Sequence, residues 1–256
     1  MVGGKKVYKG KNIAVVVPAY NEERFIAAVV SGMPDFVDGI YVVNDASTDS
    51  TLDIITGIAR YEGRVSVVNR EIREGVGAAI ISGHKEALRD NIDVMAVMAG
   101  DGQMDPALLY RILDPVVEGR AEYAKGNRLS LPGYKKEMSA WRSFGNFLLT
   151  ILNRIASGYW HISDPQDGYT AISAEALRKL DLNGIYRGFA FENDMLVKLH
   201  VTGARVIDVS HPAVYRGQKS KIRYPCFIVK TSWLLLKDFL WRLWKEHGKR
   251  SSVKVT

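Results

Sequence analysis

The sequence predicts an α/β protein whose mainly parallel sheet is flanked by helices on both faces. Short apolar runs, most of them rich in β-branched residues, alternate with amphipathic segments through the first half of the chain. Repeated strand–helix–strand units of this length are typical of parallel sheets, because two parallel strands need a crossover between them. With 256 residues, of which 47% are apolar and 25% charged, the chain can bury the core of one large domain.

Seven strands and six helices are expected in a definite order. We expect strands over residues 13–17, 40–44, 65–68, 93–98, 123–127, 167–173 and 205–209. We expect helices over residues 22–31, 49–61, 77–88, 138–157, 192–201 and 227–246. Ligands of such sheets bind outside the carboxyl ends of the strands, so residues 18–23, 44–51 and 99–106 are the first candidates for a functional site.

Asp45 ends the second predicted strand, within the segment 44–51 (NDASTDST). Ser47, Thr48 or Asp49 can cap the helix that follows, but capping does not require Asp45 as well. A carboxylate at the end of a strand can accept hydrogen bonds from the base or the ribose of a nucleotide. Asp45 is therefore a candidate nucleotide-binding residue.

An acidic turn follows the fourth predicted strand, in the segment 97–106 (VMAGDGQMDP). Asp101 lies between two glycines, and Gln103 and Asp105 come next. Hard divalent cations take oxygen ligands from carboxylates and amides, which makes Asp101 and Gln103 candidate metal ligands. An aspartate between two glycines is also common in ordinary turns. The segment 75–80 (GVGAAI) lacks the third glycine of a dinucleotide-binding loop, so its small residues more simply permit close approach to a ligand or to the sheet.

The end of the chain differs from the rest in charge. Residues 215–256 contain 11 lysines and arginines against two acids, whereas residues 1–214 contain 24 bases and 26 acids. Five apolar residues in this tail recur at helical spacing, with lysines and arginines on the opposite face. They are Val229, Trp233, Leu236, Leu240 and Leu243. We expect this amphipathic helix to lie in the interface of an anionic membrane surface; packing against the rest of the protein is the alternative.

The bulk composition excludes several other classes of protein. The longest uncharged stretch of the tail helix is too short to cross a bilayer, and no DNA- or RNA-binding signature accompanies the basic residues, so we expect no nucleic-acid partner. Cys226 is the single cysteine, which rules out an internal disulfide. The amino-terminal residues contain no secretory apolar region, so the expected location is the cytoplasm, peripheral at the inner face of the membrane.

Three segments in register resemble one family. Residues 18–22 (PAYNE), 44–49 (NDASTD) and 101–106 (DGQMDP) are similar to the P-x-Y-N-E, D-D-x-S-x-D and D-x-D-x-Q-x-P motifs of family 2 glycosyltransferases with the GT-A fold. Within that family, the chain most resembles dolichyl-phosphate (polyprenyl-phosphate) mannose and glucose synthases. The resemblance implies a Rossmann-like GT-A fold and the inverting transfer of a hexose from UDP-glucose or GDP-mannose to a polyprenyl or dolichyl phosphate, with Mg²⁺ or Mn²⁺.

The resemblance also implies roles for individual residues. For the donor it implies Pro18, Ala19, Tyr20, Glu22, Asp45, Gly77, Asp101, Ser220 and Lys221. The metal would be held by Asp101 and Gln103, the acceptor by Arg128, Arg142 and Asn146, and the catalytic groups would be Asp101, Glu192 and Asp194. Two positions depart from the motifs: Asn44 replaces the first of two acids, and Ala99 replaces the first aspartate of D-x-D.

We therefore expect a catalytic domain over residues 1–214, with a donor half at about 10–120 and an acceptor half at about 121–214. A basic loop and the amphipathic helix fill residues 215–256.

Three alternatives to the proposed function remain open. A hydroxyl acceptor would require Glu192 or Asp194 as a base. A sugar-1-phosphate nucleotidyltransferase would need a Gly-rich loop with an arginine where residues 18–23 stand. A non-catalytic membrane-associated binding protein is suggested by Ala99.

Overall fold

The computed structural model describes residues 7–130, 140–212 and 224–253, without the side chains of residues 140–144, 224 and 249–253. It contains one seven-stranded sheet with the strand order β3-β2-β1-β4-β6-β5-β7. The strands are β1 (Ile13–Ala19), β2 (Gly39–Asp45), β3 (Val65–Arg70), β4 (Val94–Val97), β5 (Tyr123–Asn127), β6 (Thr170–Ser173) and β7 (Val206–Ser210).

One strand runs against the others. β1, β2, β3 and β4 pair in parallel, as do β5 and β7, whereas β6 is antiparallel to both β4 and β5. The amino end of β6 therefore lies at the edge of the sheet where the other six strands end. The residues that precede β6 consequently join the loops that follow the other strands.

Within the described ranges, eight α-helices cover the sheet and extend the chain beyond it. They are α1 (Ile26–Ser31), α2 (Thr51–Ala59), α3 (Val76–Arg89), α4 (Leu109–Val117), α5 (Ala140–Ser157), α6 (Ala174–Arg178), α7 (Phe191–Thr202) and α8 (Tyr224–Val253). The core has two layers because β1 is buried along its whole length and its side chains alternate between the two faces. Val16 belongs to a buried cluster that includes residues of α3, α6 and α7, and Val15 belongs to a second cluster that includes residues of α1, α2 and α4. This arrangement confirms the predicted fold class.

Three helices differ from the sequence-based expectation. The first helix begins at Ile26 instead of residue 22, because Asn21 takes a left-handed conformation with φ of 54° and a turn follows in which Phe25 N donates to Glu22 O. The helices α4 and α6 were not predicted. The helix α4 follows a short 3-10 helix, Pro106–Leu108, whose first turn is capped by the Asp105 side chain, and α6 is capped by the Ser173 side chain.

The helix α8 packs on α5 and α7 along one side only. Leu235 is 2% exposed and contacts Ala156 and Val197, and Thr231 and Asp238 are buried on the same side. Large apolar side chains on the other side face solvent: Val229, Trp233, Leu236, Leu240 and Trp244. The predicted apolar face is thus mostly exposed, with Trp244 exposed at its end and Leu243 only half-exposed. Among the described residues, no helix has the length and apolarity needed to span a membrane.

The packing of α8 yields a stability prediction. Leu235→Ala removes a buried side chain between three helices and should lower the free energy of unfolding by about 2–4 kcal/mol. Leu236→Ala, one residue along the same helix at an exposed position, should change it by less than about 1 kcal/mol. Urea denaturation followed by circular dichroism measures both. Equal losses of unfolding free energy for the two variants would show that α8 does not pack on α5 and α7 through Leu235.

Candidate active site

The loops after β1 and β2 are bound to each other by reciprocal hydrogen bonds. Asn21 N donates to Ser47 Oγ (3.0 Å), and Thr48 N donates to Asn21 Oδ1 (2.8 Å). Glu22 N donates to Thr51 Oγ1 (2.8 Å). The left-handed conformation of Asn21 directs its side chain across to the second loop. The polar residues of the first two motifs therefore fix one loop against the other, a role that sequence reasoning missed.

Asp45 lies at the end of β2 and is 3% exposed. Its carboxylate accepts hydrogen bonds from Glu74 N (3.1 Å) and Gly75 N (2.9 Å), and Arg70 Nε lies 3.6 Å away. Gly75 has φ of 105°, a conformation that favours glycine. The predicted donor residue is thus at the expected edge, and the loop between β3 and α3 holds its carboxylate in one orientation.

Tyr20 and the residues just before it connect this region to the acidic turn. The Arg73 guanidinium lies 3.7 Å from the centre of the Tyr20 ring, a cation–π contact. Pro18 O accepts a hydrogen bond from Gly100 N (3.2 Å), and Ala19 is buried. The predicted donor residues of β1 therefore adjoin both the Asp45 loop and the turn at Asp101.

The acidic turn is closed by its own side chains. Asp101 Oδ1 accepts from Gln103 N (3.0 Å), and Gly102 has φ of 72°. Asp105 accepts from Ala107 N (2.9 Å) and so serves as a helix cap. Asp101 and Gln103 are both half-exposed and supply a carboxylate and an amide, the oxygen donors that hard divalent cations prefer. Within the described residues, no group of three His, Cys, Asp or Glu side chains forms a metal site.

Buried charges gather beside this turn, at the ends of β5 and β7 and before β6. Arg128 Nε and Nη2 donate to the two carboxylate oxygens of Asp164 (2.9 and 3.1 Å). Asp167 Oδ2 lies 3.2 Å from Arg128 Nε and 2.7 Å from His211 Nε2. Lys125, which is fully buried, donates to the main-chain oxygen of Asp167. The predicted acceptor arginine is therefore held rigidly by two carboxylates.

The electrostatics of this cluster follow from burial and from its close pairs. Burial alone would raise the pKa of Asp167, but Arg128, His211 and Lys125 lower that pKa to about 2. Burial lowers the pKa of Lys125, and the surrounding carboxylates oppose that shift. The network therefore keeps Asp167 ionised beside Arg128, His211 and Lys125.

Glu192 lies in the first turn of α7 and adjoins both halves of the site. A Cβ atom at Gly168 would lie 3.4 Å from Glu192 Oε1 and 3.4 Å from Met104 Cε, so only that glycine separates the carboxyl group from the acidic turn. Burial raises the pKa of Glu192 to about 7, and the electrostatic attraction of Lys125 lowers it less strongly. Glu192 can thus hold or release a proton near neutral pH.

Asp194 has a different environment from Glu192. It is buried, accepts a hydrogen bond from Tyr186 N (2.7 Å), and lies 3.3 Å from Lys198 Nζ. Gly77, predicted to adjoin the donor, packs against the same segment, since a Cβ there would lie 2.5 Å from Tyr186 O. Packing against the protein thus accounts for the glycine at position 77, and a donor contact there stays a prediction.

The remaining predicted residues lie on α5 or beyond the described chain. Asn146 is half-buried on α5, and its main-chain oxygen accepts from Thr150 Oγ1 (2.8 Å). The Arg142 side chain and both Ser220 and Lys221 are outside the described residues. Sequence reasoning did not assign site roles to Lys125, Asp164, Asp167 or His211. The local signal that could have found two of them is the pair of acids in the segment 164–169 (DPQDGY), just before β6.

Comparisons with known proteins agree with this geometry. A model of glycosyl transferase family 2 matches residues 14–181. An undecaprenyl-phosphate mannosyltransferase from Micrococcus luteus is 30% identical over 205 residues, covering 77% of this chain and 81% of the relative. A UDP-N-acetylglucosamine–dolichyl-phosphate N-acetylglucosaminyltransferase from Methanococcus voltae is 30% identical over 183 residues, covering 66% of this chain and 72% of the relative.

A solved structure shows the same fold. Glucosyl-3-phosphoglycerate synthase from Mycobacterium tuberculosis, in complex with Mn²⁺, UDP and phosphoglyceric acid, superposes with a TM-score of 0.67 at 20% identity. The match covers 91% of this chain and 78% of that structure. The likeness confirms the GT-A fold that the motifs implied.

The raised pKa of Glu192 gives a prediction for stability against pH. The folded protein binds this proton more tightly than the unfolded chain, so ionisation costs stability as the pH rises from about 4.5 to about 7. Glu192→Gln removes that cost. The free energy of unfolding of the variant relative to the wild type should therefore increase by about 2–3 kcal/mol between pH 4 and pH 8.

Urea denaturation at a series of pH values measures this difference. Glu71→Gln, at an exposed position, is the matched control and should give a difference that is flat with pH. A flat difference for Glu192→Gln as well would contradict the raised pKa.

Proposed function

This chain belongs to glycosyltransferase family 2 and is a glycosyltransferase, and from that premise we propose that it transfers a hexose from UDP-glucose or GDP-mannose to a polyprenyl or dolichyl phosphate. One observation carries the proposal: the acidic turn at Asp101 and the fixed arginine Arg128 lie at the same edge of the sheet, and Glu192 adjoins that turn at Gly168. The named substrates of the two relatives are lipid phosphates, which an arginine of this kind suits.

The donor would lie over the ends of β1, β2 and β4. Asp45 has a fixed carboxylate that can accept further hydrogen bonds from a base or ribose, since each oxygen carries two lone pairs. Tyr20 offers an aromatic ring beside it. Asp101 and Gln103 fit a divalent cation, Mg²⁺ or Mn²⁺, which when bound supplies positive charge to the departing diphosphate. Because Ala99 contributes no carboxylate, these two residues would provide the protein's share of the ligands.

The acceptor would lie over β5 and the start of α7. Asp164 and Asp167 hold the Arg128 guanidinium in place, so binding a phosphate there needs little further ordering of the side chain. Arg142 and Asn146 of α5 are proposed to complete the acceptor site. The apolar lipid chain would then run along α5, where Phe147 and Ile155 are exposed.

The proposed reaction is a single in-line displacement. A phosphate oxygen of the acceptor attacks the anomeric carbon of the sugar from the side opposite the diphosphate. A new carbon–oxygen bond forms as the bond to the nucleoside diphosphate breaks, so the configuration at that carbon inverts. A polyprenyl phosphate is already anionic near neutral pH, so no residue has to remove a proton from it. The role proposed for Glu192 is then to orient the sugar through a hydrogen bond.

A hydroxyl acceptor is the second candidate, and one observation favours it. Glu192 has a pKa of about 7, close to the optimum for a general base at neutral pH. A hydroxyl nucleophile must lose its proton during attack, and Glu192 lies beside the acidic turn where the donor is expected. Polysaccharide or glycolipid acceptors would use the base in this way.

The outer side of α8 supports peripheral binding to the cytoplasmic face of a membrane. Its exposed apolar residues include Trp233 and Trp244, and Lys230, Lys237 and Lys245 are exposed on the same helix. Tryptophan is favoured at the boundary between lipid headgroups and acyl chains, and lysine is attracted to anionic headgroups. A peripheral helix of this kind would bring the acceptor site close to a lipid substrate.

A donor panel tests the function. The protein and MnCl₂ are incubated with radiolabelled UDP-glucose, GDP-mannose or UDP-N-acetylglucosamine and with polyprenyl phosphate, and the label in the organic phase is counted. Label should enter the organic phase from one donor. Label that enters only water-soluble glycans would contradict the lipid-phosphate proposal and support the hydroxyl acceptor.

Two substitutions test the assigned roles in the same assay. Asp101→Asn should lower the transfer rate at least about 100-fold, because the metal and diphosphate lose a carboxylate. Arg128→Lys keeps the charge but loses the bidentate geometry, so it should raise KM for the lipid phosphate about tenfold or more and leave donor hydrolysis unchanged. Arg111→Lys, at an exposed position on α4, is the matched control and should match the wild type.

Vesicle binding tests the membrane proposal. Replacing Trp233 with Ser should weaken binding to vesicles with anionic phosphatidylglycerol by about tenfold or more, since burying an indole contributes more than about 1.4 kcal/mol. The control is Tyr61→Ser, which alters a 92% exposed aromatic residue outside α8. Co-sedimentation measures both. Equal binding by the two variants, or no preference for anionic vesicles, would contradict the assignment.

A further inference from the structure

Asp194 is a buried acid that the proposed reaction leaves without a role. It lies two residues after Glu192 on α7 and is 2% exposed. Its Oδ2 accepts a hydrogen bond from Tyr186 N at 2.7 Å, and its Oδ1 lies 3.3 Å from Lys198 Nζ. Its carboxyl group also interacts with Asp238 of α8. The hydrogen bond from Tyr186 N ties Asp194 to the chain segment 186–188, which precedes α7.

That segment in turn packs tightly against the start of α3. Arg187 O accepts a hydrogen bond from Ala78 N (3.0 Å). A Cβ at Gly77 would lie 2.5 Å from Tyr186 O, and one at Gly75 would lie 2.8 Å from Arg187 O. No Cβ atom fits at either position, so the two backbones lie close together. The position of Tyr186 and Arg187 therefore limits the position of the loop that contains Gly75 and Gly77.

The loop at Gly75 holds the carboxylate of Asp45, the residue proposed to bind the donor. Glu74 N and Gly75 N donate to Asp45, at 3.1 and 2.9 Å. The Arg187 side chain also pairs with the Glu74 carboxylate, which ties the two segments a second time. A continuous series of hydrogen bonds and backbone contacts thus runs from α7 to the end of β2.

We propose that Asp194 is a positioning residue for the donor half of the site, acting on Asp45 through the Tyr186–Arg187 segment and the loop at Gly75. The proposal rests on the proposed function, in which Asp45 binds the donor nucleotide. The two acids of α7 then have separate roles: Glu192 adjoins the acidic turn, and Asp194 supports the loop that holds Asp45.

The first test compares two substitutions at the same position. Asp194→Ala removes the acceptor of the Tyr186 N–H, whereas Asp194→Asn keeps a side-chain oxygen that can accept it. Calorimetric titration with UDP and with GDP, in the presence of MnCl₂, measures donor binding. Whichever nucleotide the wild type binds, Kd should rise about tenfold for Asp194→Ala and less than about threefold for Asp194→Asn, with KM for the lipid phosphate unchanged.

Two further variants distinguish this route from others. Gly77→Ala forces the Tyr186 backbone away and should also raise Kd. The double variant Asp194→Ala/Gly77→Ala should have a Kd no higher than that of the single variant with the higher Kd. Asp238→Asn disturbs only the α8 partner of Asp194 and should leave Kd within twofold. Additive effects in the double variant, or an equal loss for Asp238→Asn, would overturn the proposal.

Hydrogen exchange tests the link between Asp194 and the Gly75 loop independently of the proposed enzymatic function. The amides of Glu74 and Gly75 should exchange at least about tenfold faster in Asp194→Ala than in the wild type, with Asp194→Asn close to wild type. Unchanged exchange at these two amides would overturn the inference even if the enzyme binds UDP or GDP. If exchange changes as expected and the wild type binds neither nucleotide, the positioning stands and the proposed donor role of Asp45 fails.

Discussion

The reversed direction of β6 is the constraint on which the site depends. In an all-parallel sheet the residues before a strand lie at the opposite edge from the residues that follow the other strands. Because β6 is antiparallel to β4 and β5, the chain reaches it from the functional edge and brings Asp164 and Asp167 there. Their carboxylates then meet Arg128 from the end of β5 and His211 from the end of β7. One short strand of four residues thus joins the proposed acceptor half to the proposed nucleotide-binding half.

Burial gives this cluster its chemical character. A lysine as deeply buried as Lys125 is costly unless nearby carboxylates compensate its charge, and removing one partner of such a group costs several kcal/mol. The carboxylates of Glu192, Asp167 and Asp164 provide that compensation, and Asp167 also fixes Arg128. Glu192 shares the same electrostatic environment, yet burial dominates and raises its pKa to about 7. An anionic acceptor is thus favoured when Glu192 carries its proton, because the site then holds one negative charge fewer.

Patterns between neighbouring residues predicted the strands of the sheet and the loops at the strand ends. Strand periodicity placed the sheet, and the strand ends correctly located Asp45, Asp101 and Arg128 at one edge. The roles of Lys125 and His211 depend on partners more than 40 positions away, at Asp167, and no spacing rule reveals such pairs. The late start of α1 depends on one left-handed residue, Asn21, which the helical periodicity did not show. The tail helix was predicted to lie in a membrane interface, with packing on the protein as the alternative. The structure shows one packed side and one exposed apolar side, and contact with a membrane stays a prediction.

In the proposed reaction, a lipid phosphate displaces a nucleoside diphosphate from the sugar. Mass spectrometry of both products from one reaction with unlabelled donor and polyprenyl phosphate tests this displacement most directly. Attack at the anomeric carbon predicts a nucleoside diphosphate and a lipid that has gained one hexose and no additional phosphate, in equal amounts. A nucleoside monophosphate together with a lipid that has gained a hexose phosphate would mean that the bond between the phosphates is broken instead. That result would contradict attack at the anomeric carbon and the roles assigned to Asp101 and Arg128.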